Sequence, residues 1–275
     1  MGQKANPNSF QTSTKTAVTF GSGHQTTEYS TLLKEYFSIS SNIVAFFEKN
    51  NCVVKDCFFT AQNEKSFITL FINFLVLKKR SSKNKRSSDL KKSDLAIPII
   101  VQKVFSVLSK FGYFSSKRLI LQNLNKTALK HQKTFFLKEY SQIKKELNIF
   151  SKEIYFEGGL FLFCLMNTTK NTSLVISKFT ARFFKLFHRS KKINKFLLFL
   201  TKFVDNVDSL RFKGSRVKGL KIQIKGRFKG VPRSKIRLFE KGSIPLQTIS
   251  SKIKYSLIHI NTSYGVFGVK VWVFE

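Results

Sequence analysis

The side chains best suited to bind a metal or attack an electrophile are scattered along this sequence. They are His24, His131, His188 and His259, with Cys52, Cys57 and Cys164. A structural zinc site draws cysteines and histidines from closely spaced pairs, and a nucleophilic thiol needs a base beside it. Neither spacing occurs, and three odd cysteines give no disulfide framework. The thiols read as buried or incidental in a reducing compartment. The acids are few and dispersed, and there is neither a GxxxxGK[ST] phosphate loop nor a GxGxxG turn after a strand. Catalysis requires converging titratable groups. The sequence therefore reads as non-enzymatic, with no cofactor and no metal.

What it has in abundance is positive charge. Lys+Arg number 49 against 15 Asp+Glu, a formal net charge of +34, while 42% of residues are hydrophobic. The apolar content is enough for a real core, so this is not a disordered polycation. So large a charge strains a lone domain by self-repulsion. It makes sense where a polyanion neutralises it, and nucleic acid is the leading candidate. A membrane is disfavoured. The longest apolar runs, at 66–77, 160–166 and 196–204, fall short of the roughly 18–20 residues of a spanning helix. The start, "MGQKANPNSFQ", shows no signal-peptide pattern, and its sixth residue, Asn6, is not the Ser or Thr of a myristoylation signal. Phe, Lys, Asn and Ile are abundant and Ala is scarce, as in an AT-biased genome. Synthesis inside an organelle is expected.

The elements that position these cations follow from periodicity. Residues 1–27 are polar and read as an extended arm. Residues 28–49 place Leu32, Leu33, Tyr36, Phe37, Ile43, Phe46 and Phe47 near helical spacing, with a break expected at Ser38–Asn42 into two short helices. The stretches 52–59 and 66–77 read as two strands, the second apolar on both faces and so buried. Residues 78–94 form a low-complexity linker of Lys, Arg and Ser. Apolar segments at 96–108, 117–124 and 154–166 carry no assignable fold.

From 174 the pattern sharpens. "LVISKFTARFFKLFHR" (174–189) and "KKINKFLLFLTKFVDNV" (191–207) read as helices, the first with Leu174, Ile176, Phe179, Phe183, Leu186 and Phe187 on one stripe. Four strands follow, at 220–228, 234–239, 246–258 and 269–274. Strict alternation puts Leu220, Ile222 and Ile224 on one face of the first strand, and Lys221, Gln223, Lys225 and Arg227 on the other. The same reading sets Lys235 and Arg237 against Ile236 and Leu238. It sets Lys252 and Lys254 against Ile249, Ile253, Tyr255 and Leu257, and Lys270, Trp272 and Phe274 against Val269, Val271 and Val273. Two helices on a four-stranded antiparallel sheet make two layers. One sheet face is expected to be apolar and covered, the other a row of cations. Between 209 and 254 the only acid is Glu240. Like charges directly opposite are destabilising, so a one-sign face is better explained by phosphate contacts than by solvation.

Gly265-Val266-Phe267-Gly268 has the spacing of the loop with which KH modules clamp single-stranded RNA. That loop joins helices and carries a basic residue between its glycines. Here the pair lies between strands and its middle residues are apolar, so it reads as a tight turn or bulge.

"GLKIQIKGRFKGVPRSK…FEKGSIPLQTISSKIKY…INTSYGVFGVKVWVFE" (219–275) resembles the C-terminal domain of small-subunit ribosomal protein three. Gly242, Pro245, Leu246, Thr248, Ile253 and Tyr255 match the family pattern, as do Tyr264, Gly265, Gly268, Val269, Lys270, Val271 and Trp272. The opening "MGQKANPNSF" is similar to the family's start, with Ser9 in place of glycine. Residues 36–72 resemble its first KH half more weakly. The resemblance implies assembly into the head of the small ribosomal subunit, contacts with rRNA and neighbouring head proteins, and a position lining the mRNA entrance. In the family, basic residues of the first two C-terminal helices face mRNA, and "HRSKKINK" lies there. The implied mRNA-facing residues are Arg189, Lys191, Lys192 and Lys195. The implied rRNA contacts are Gln3, Lys4 and Asn6 in the arm, and Lys221, Lys225, Arg227, Lys229, Arg233, Lys235, Arg237, Lys252 and Lys254 in the sheet region.

One departure stands out: the family's KH loop should follow the strand at 66–77, where the basic linker appears instead. Expansion between intact ends resembles mitochondrial members. The expected architecture is α+β: an arm (1–27), an interrupted or degenerate KH-like N-terminal half (28–80), a basic linker and divergent insertion (81–173), and a C-terminal two-layer domain (174–275). The expected role is a constituent of the mitochondrial small ribosomal subunit, organelle-encoded, in the matrix and off the membrane. The alternative is a free organellar RNA-binding factor that helps an intron fold or an RNA be processed.

Overall fold

The computed structural model describes residues 6–7, 26–50, 52–62, 67–77, 102, 106, 116–125, 137–169, 172–207 and 217–275. The linker at 78–94, most of the arm and residues 208–216 lie outside these. The class is α+β, and the chain divides into two compact units: Ala17–Leu124, and Met1–Thr16 together with Asn125–Glu275.

In the first unit a helix, α1 (Thr26–Lys49), precedes strands β1 (Cys52–Gln62), β2 (Phe67–Val76) and β3 (Ser116–Asn123). The sheet order is β1-β2-β3, with β1 antiparallel and β3 parallel to β2. The expected break in α1 does not occur. Ser40 Oγ donates to Phe37 O at 3.1 Å and Ser41 Oγ to Ser38 O at 2.9 Å, so the serines are satisfied within the helix instead of competing with it. Ile39, inside the supposed break, is buried. Phe37, assigned to the apolar stripe, is 63% exposed. Ile39, Ile43 and Phe47 pack on Cys52, Val54, Ile72 and Phe74. Phe74 and Leu75 are consecutive and both buried, which places core on either side of β2, as its two-faced apolar pattern requires.

The second unit holds α2 (Leu137–Glu146), a 3₁₀ turn (Leu147–Phe150), α3 (Tyr155–Thr168), α4 (Ser173–Phe187) and α5 (Lys192–Asp205). Then come β4 (Gly219–Gly226), β5 (Lys235–Gly242), β6 (Ile253–Thr262) and β7 (Gly265–Phe274), in the antiparallel order β5-β4-β7-β6. α4 packs beneath β6 and β7, and α5 beneath β5. Ser256 Oγ donates to Ser173 O at 2.8 Å, pinning the start of α4 to β6. Sequence periodicity left 95–173 without a fold, yet α2 and α3 belong to this unit. Phe150 packs on Phe199 (5.5 Å between ring centres) and Phe163 on Phe203 (4.3 Å), so the packing boundary falls near residue 125. The strand expected at 246–258 begins only at Ile253. Pro245 has no N–H for a ladder, and Ser251 Oγ donates to Pro245 O and Thr248 O, folding the segment into a turn that leaves Ile249 64% exposed.

Tyr155 lies in the middle of this aromatic layer. Its ring is 4.7 Å from Phe199, 5.2 Å from Phe196 and 5.9 Å from Phe187. Its hydroxyl is buried and finds no hydrogen-bond partner among the described residues. A buried unsatisfied hydroxyl costs about 1–3 kcal/mol. Burial, with a smaller contribution from Glu153, pushes its phenol well above the ordinary range. The unfolded chain therefore loses this proton first, and folding stability falls as pH rises through the ordinary phenol pKa of about 10. Tyr155→Phe should raise unfolding stability by about 1 kcal/mol and soften the alkaline loss, read from urea midpoints at neutral pH and above pH 10.

Candidate nucleic-acid interface

Three turns meet at one end of the second unit. The α4–α5 turn (188–191) touches the β6–β7 turn. Arg189 Nε donates to Ser263 Oγ at 2.9 Å, and His188 packs edge-on against Tyr264 at 5.8 Å. His188 Nδ1 donates to Lys185 O at 2.7 Å, so in the neutral ring Nε2 is the acceptor, 3.2 Å from the same Ser263 Oγ. The turn after β4 joins them through aromatic rings: Phe228 lies 5.7 Å from Phe184 and 5.4 Å from Phe267, and Phe184 lies 4.7 Å from Phe267. Arg227 ties this turn to itself, with Nε donating to Val231 O at 3.1 Å and Nη2 to Gly230 O at 3.5 Å. Lys229 and Gly230 carry positive φ, 57° and 75°; a Cβ on Gly230 would lie 3.3 Å from the Tyr264 ring. Glycine fits that position on both counts.

This end carries one sign of charge. Lys185, Arg189, Lys191, Lys195, Arg227, Lys229, Arg233 and Lys235 are exposed, and Lys192 is half-buried. The segments 185–195, 227–235 and 259–266 contain no Asp or Glu. α5 begins here with Lys191 at its N-cap, no side-chain cap and no acid in its first turn. Cations at a helix N-terminus oppose the backbone dipole, whereas its amides suit an anion. The arrangement is unfavourable alone and favourable around phosphate. At the other end of the sheet the charges mix: Glu240 pairs with Lys221 at 2.7 Å, and Glu275 N donates to Lys252 O.

The continuous cationic face does not form, and strand register shows why. Facing residues share a side, so Ile222 opposite Phe239 places Phe239 in the core, 7% exposed, and turns Ile236 and Leu238 outward. Lys235 and Arg237 thereby take the side of Ile222 and Ile224, at an exposed edge. In β6, Tyr255 and Leu257 pair with Trp272 and Lys270, so they too point outward and Lys254 takes the covered side. Of the predicted set, Lys221 and Lys225 share the outer face, joined by Lys270. Arg227, Lys229 and Arg233 lie in the loop end beside Arg189, Lys191, Lys192 and Lys195. Lys252 and Lys254 lie at the far end. Asn6 is exposed; Gln3 and Lys4 fall outside the described residues.

Reading alternation alone missed Lys185, His188, Ser263 and Tyr264. The available signal was their position in turns, where loops present function. Gly265, with φ 109°, opens β7 directly after the turn, as expected of a turn and not of a KH clamp. Burial raises the Cys164 thiol to about 11, which fits an inert cysteine.

The family profile "Ribosomal protein S3, C-terminal domain" matches residues 207–273. Among similar curated proteins, "Small ribosomal subunit protein uS3c" of Helicosporidium sp. subsp. Simulium jonesii is 51% identical over 57 residues, covering 21% of this chain and 24% of that protein. The uS3c of Sorghum bicolor is 48% identical over 62 residues (22% and 28%), and that of Marchantia polymorpha 43% over 63 (23% and 29%). The chain thus spans about a quarter of the length of the relatives it matches.

Two glycines of the matched stretch separate packing from open surface. A Cβ on Gly226 would strike the Phe267 ring, whereas one on Gly268 would meet nothing within 4 Å. Gly226→Ala should destabilise the chain by about 1–3 kcal/mol by overpacking. Gly268→Ala should stay within about 0.5 kcal/mol of the parent. Urea unfolding of both variants checks the pair.

Proposed function

We propose that this chain, which through its C-terminal domain belongs to the ribosomal protein S3 family, is a non-enzymatic structural constituent of an organellar small ribosomal subunit. It binds rRNA through phosphate contacts. The observation that carries this reading is the loop end: three turns locked together by Phe184, Phe228 and Phe267, presenting cations of one sign beside an uncapped helix N-terminus. Arg227, Lys229, Arg233 and Lys235 are its rRNA contacts. Arg189, Lys191, Lys192 and Lys195, on the α4–α5 side, are its mRNA-facing residues. Lys221, Lys225, Arg237, Lys252 and Lys254 supply outlying phosphate contacts, with Gln3, Lys4 and Asn6 contributing from the arm. The first unit is an interrupted KH-like module. Its helix, hairpin and third strand parallel to β2 support that reading, because a parallel return needs a crossover of about a dozen residues or more.

The organelle is the mitochondrion on the composition and on the long region between family-like ends. The uS3c relatives are plastid-type and favour a plastid instead. Density-gradient fractions of the two organelles discriminate: the chain should co-sediment with mitochondrial small subunits in high salt. Recovery with plastid subunits moves the assignment, and washing off in salt supports a free RNA-binding factor.

The binding mode is tested separately. RNA affinity of the chain should fall linearly in log–log against salt. Changing Arg189, Lys191, Lys192 and Lys195 together to Gln should flatten that slope by roughly 0.7–0.9 for each phosphate that the variant no longer neutralises. An unchanged slope removes the α4–α5 turn from the interface.

A further inference from the structure

One hydroxyl proton separates two states of the loop end. Arg189 Nε donates to Ser263 Oγ at 2.9 Å, and His188 Nε2 lies 3.2 Å from the same oxygen. A serine hydroxyl has one proton and two lone pairs. In the neutral ring Nδ1 donates to Lys185 O at 2.7 Å, so Nε2 accepts and the Ser263 proton is committed to it. A protonated ring carries N–H on both nitrogens. Nδ1 then keeps Lys185 O, while Nε2 donates to Oγ. His188 and Arg189 together fill both lone pairs of that oxygen, and the Ser263 proton is released from the ring. Ser263 and Arg189 are exposed and His188 is half-buried, so the released proton turns towards solvent.

The surroundings decide what can accept it. The charged and titratable groups facing His188 are Lys185 and Arg189 from its own helix end and Tyr264 from the β6–β7 turn, its ring 5.8 Å away. Lys191 and Lys192 follow in the same turn, and Arg227 and Lys229 stand in the turn after β4. No carboxylate occurs in 185–195, 227–235 or 259–266. A hydroxyl proton, a guanidinium and an imidazolium thus converge on one exposed spot, which is a donor set for a phosphate. One more cation among cations is unfavourable alone, and a phosphate placed among them reverses that balance. We infer that His188, Ser263 and Arg189 form a proton-coupled site for one phosphodiester of an RNA backbone, in which the bound phosphate and the proton on His188 stabilise each other. Histidine ordinarily changes charge near physiological pH, so the grip of this end on RNA strengthens as pH falls. The inference deepens the reading of the loop end as an RNA interface and rests on it. It gives His188 and Ser263 a part that a count of lysines and arginines does not.

The test measures binding of the full chain to an oligouridylate without terminal phosphates, at pH 6 and pH 8 and one salt concentration. Uracil does not titrate between these values, so protons gained on binding belong to the protein. Affinity should be roughly fivefold higher at pH 6, the size of about one exposed charge pair. His188→Phe keeps a ring against Tyr264 but has no proton to gain; it should remove most of that difference and leave the pH 8 affinity near the parent's. Ser263→Ala keeps the ring and its charge but lacks the hydroxyl, and should show only about half of the parent's pH effect. Calorimetry in buffers of different ionisation heat should find more protons taken up per RNA by the parent than by His188→Phe. His188→Gln serves in both measurements if the Phe variant unfolds at lower urea. Equal affinities at the two pH values, a pH effect that either variant retains in full, or equal proton uptake by parent and variant would each overturn the coupled site and leave RNA binding standing. The salt series on the four-residue variant tests that binding separately, so the two failures are distinguishable.

Discussion

Phe267 is where the C-terminal unit is held together. It lies near the start of the last strand, is 1% exposed, and contacts one ring from the helix layer and one from the turn after β4. Those two rings, Phe184 and Phe228, also touch each other, so the triangle closes. Ring pairs of this kind contribute about 0.5–1.5 kcal/mol each beyond the area they bury. The exposed cations they bring together repel by about 1 kcal/mol or less per pair at 4 Å in water. Packing therefore wins, and charges that would otherwise separate are held on three adjoining turns. Gly226 is the condition for this, since any larger residue would occupy the place of the Phe267 ring.

The same balance of magnitudes explains why the end can be so one-sided. α5 starts with lysines where acids are usual, and no side chain caps it. Taken alone this forfeits the roughly 0.3–1 kcal/mol that a favourable charge contributes at a helix terminus. The loss is small beside the core beneath it, where Phe196, Phe199, Leu200 and Phe203 are nearly wholly buried at about 1.5–3 kcal/mol each. A domain with that margin tolerates an electrostatically poor terminus. An anion bound there would recover the deficit.

Much of this was legible in the sequence, and the limits are physical. The α4 and α5 helices and the β4 and β7 strands follow from periodicity, because each has one face that must be covered. In β5 alternation is equally clear, but it offers two phases: Ile236 with Leu238 inward, or Phe239 inward. Only pairing with β4 chooses, and it chooses the larger ring. The serines of α1 weaken helix propensity in isolation, yet they bond back to their own helix while Ile39 and Ile43 are buried, so tertiary contact overrides local preference. The α2–α3 region lacked a sharp stripe because α3 is apolar on most of its circumference, as a helix enclosed by others is. The loop end escaped a strand-by-strand reading because turns carry no period; its residues are brought together by Phe184, Phe228 and Phe267, far apart in the chain.

Strand alternation and turn composition are independent variables, and that independence lets one small domain carry two surfaces. Alternation decides which side chains stand above the sheet, and here, once Phe239 is committed to the core, it brings up aliphatic residues around Lys225 and Lys270. Turn composition decides what charge the sheet's end presents, and here the charged residues are Arg and Lys alone. Neither surface constrains the other, because the sheet between them is set by Ile222, Ile224, Val269 and Val271, all fully buried and belonging to neither. A substitution in the turns after β4 or β6 can thus alter charge at the end without disturbing the face. A shift of β5 by one residue would exchange the face entirely and leave the cations of the α4–α5 turn where they are.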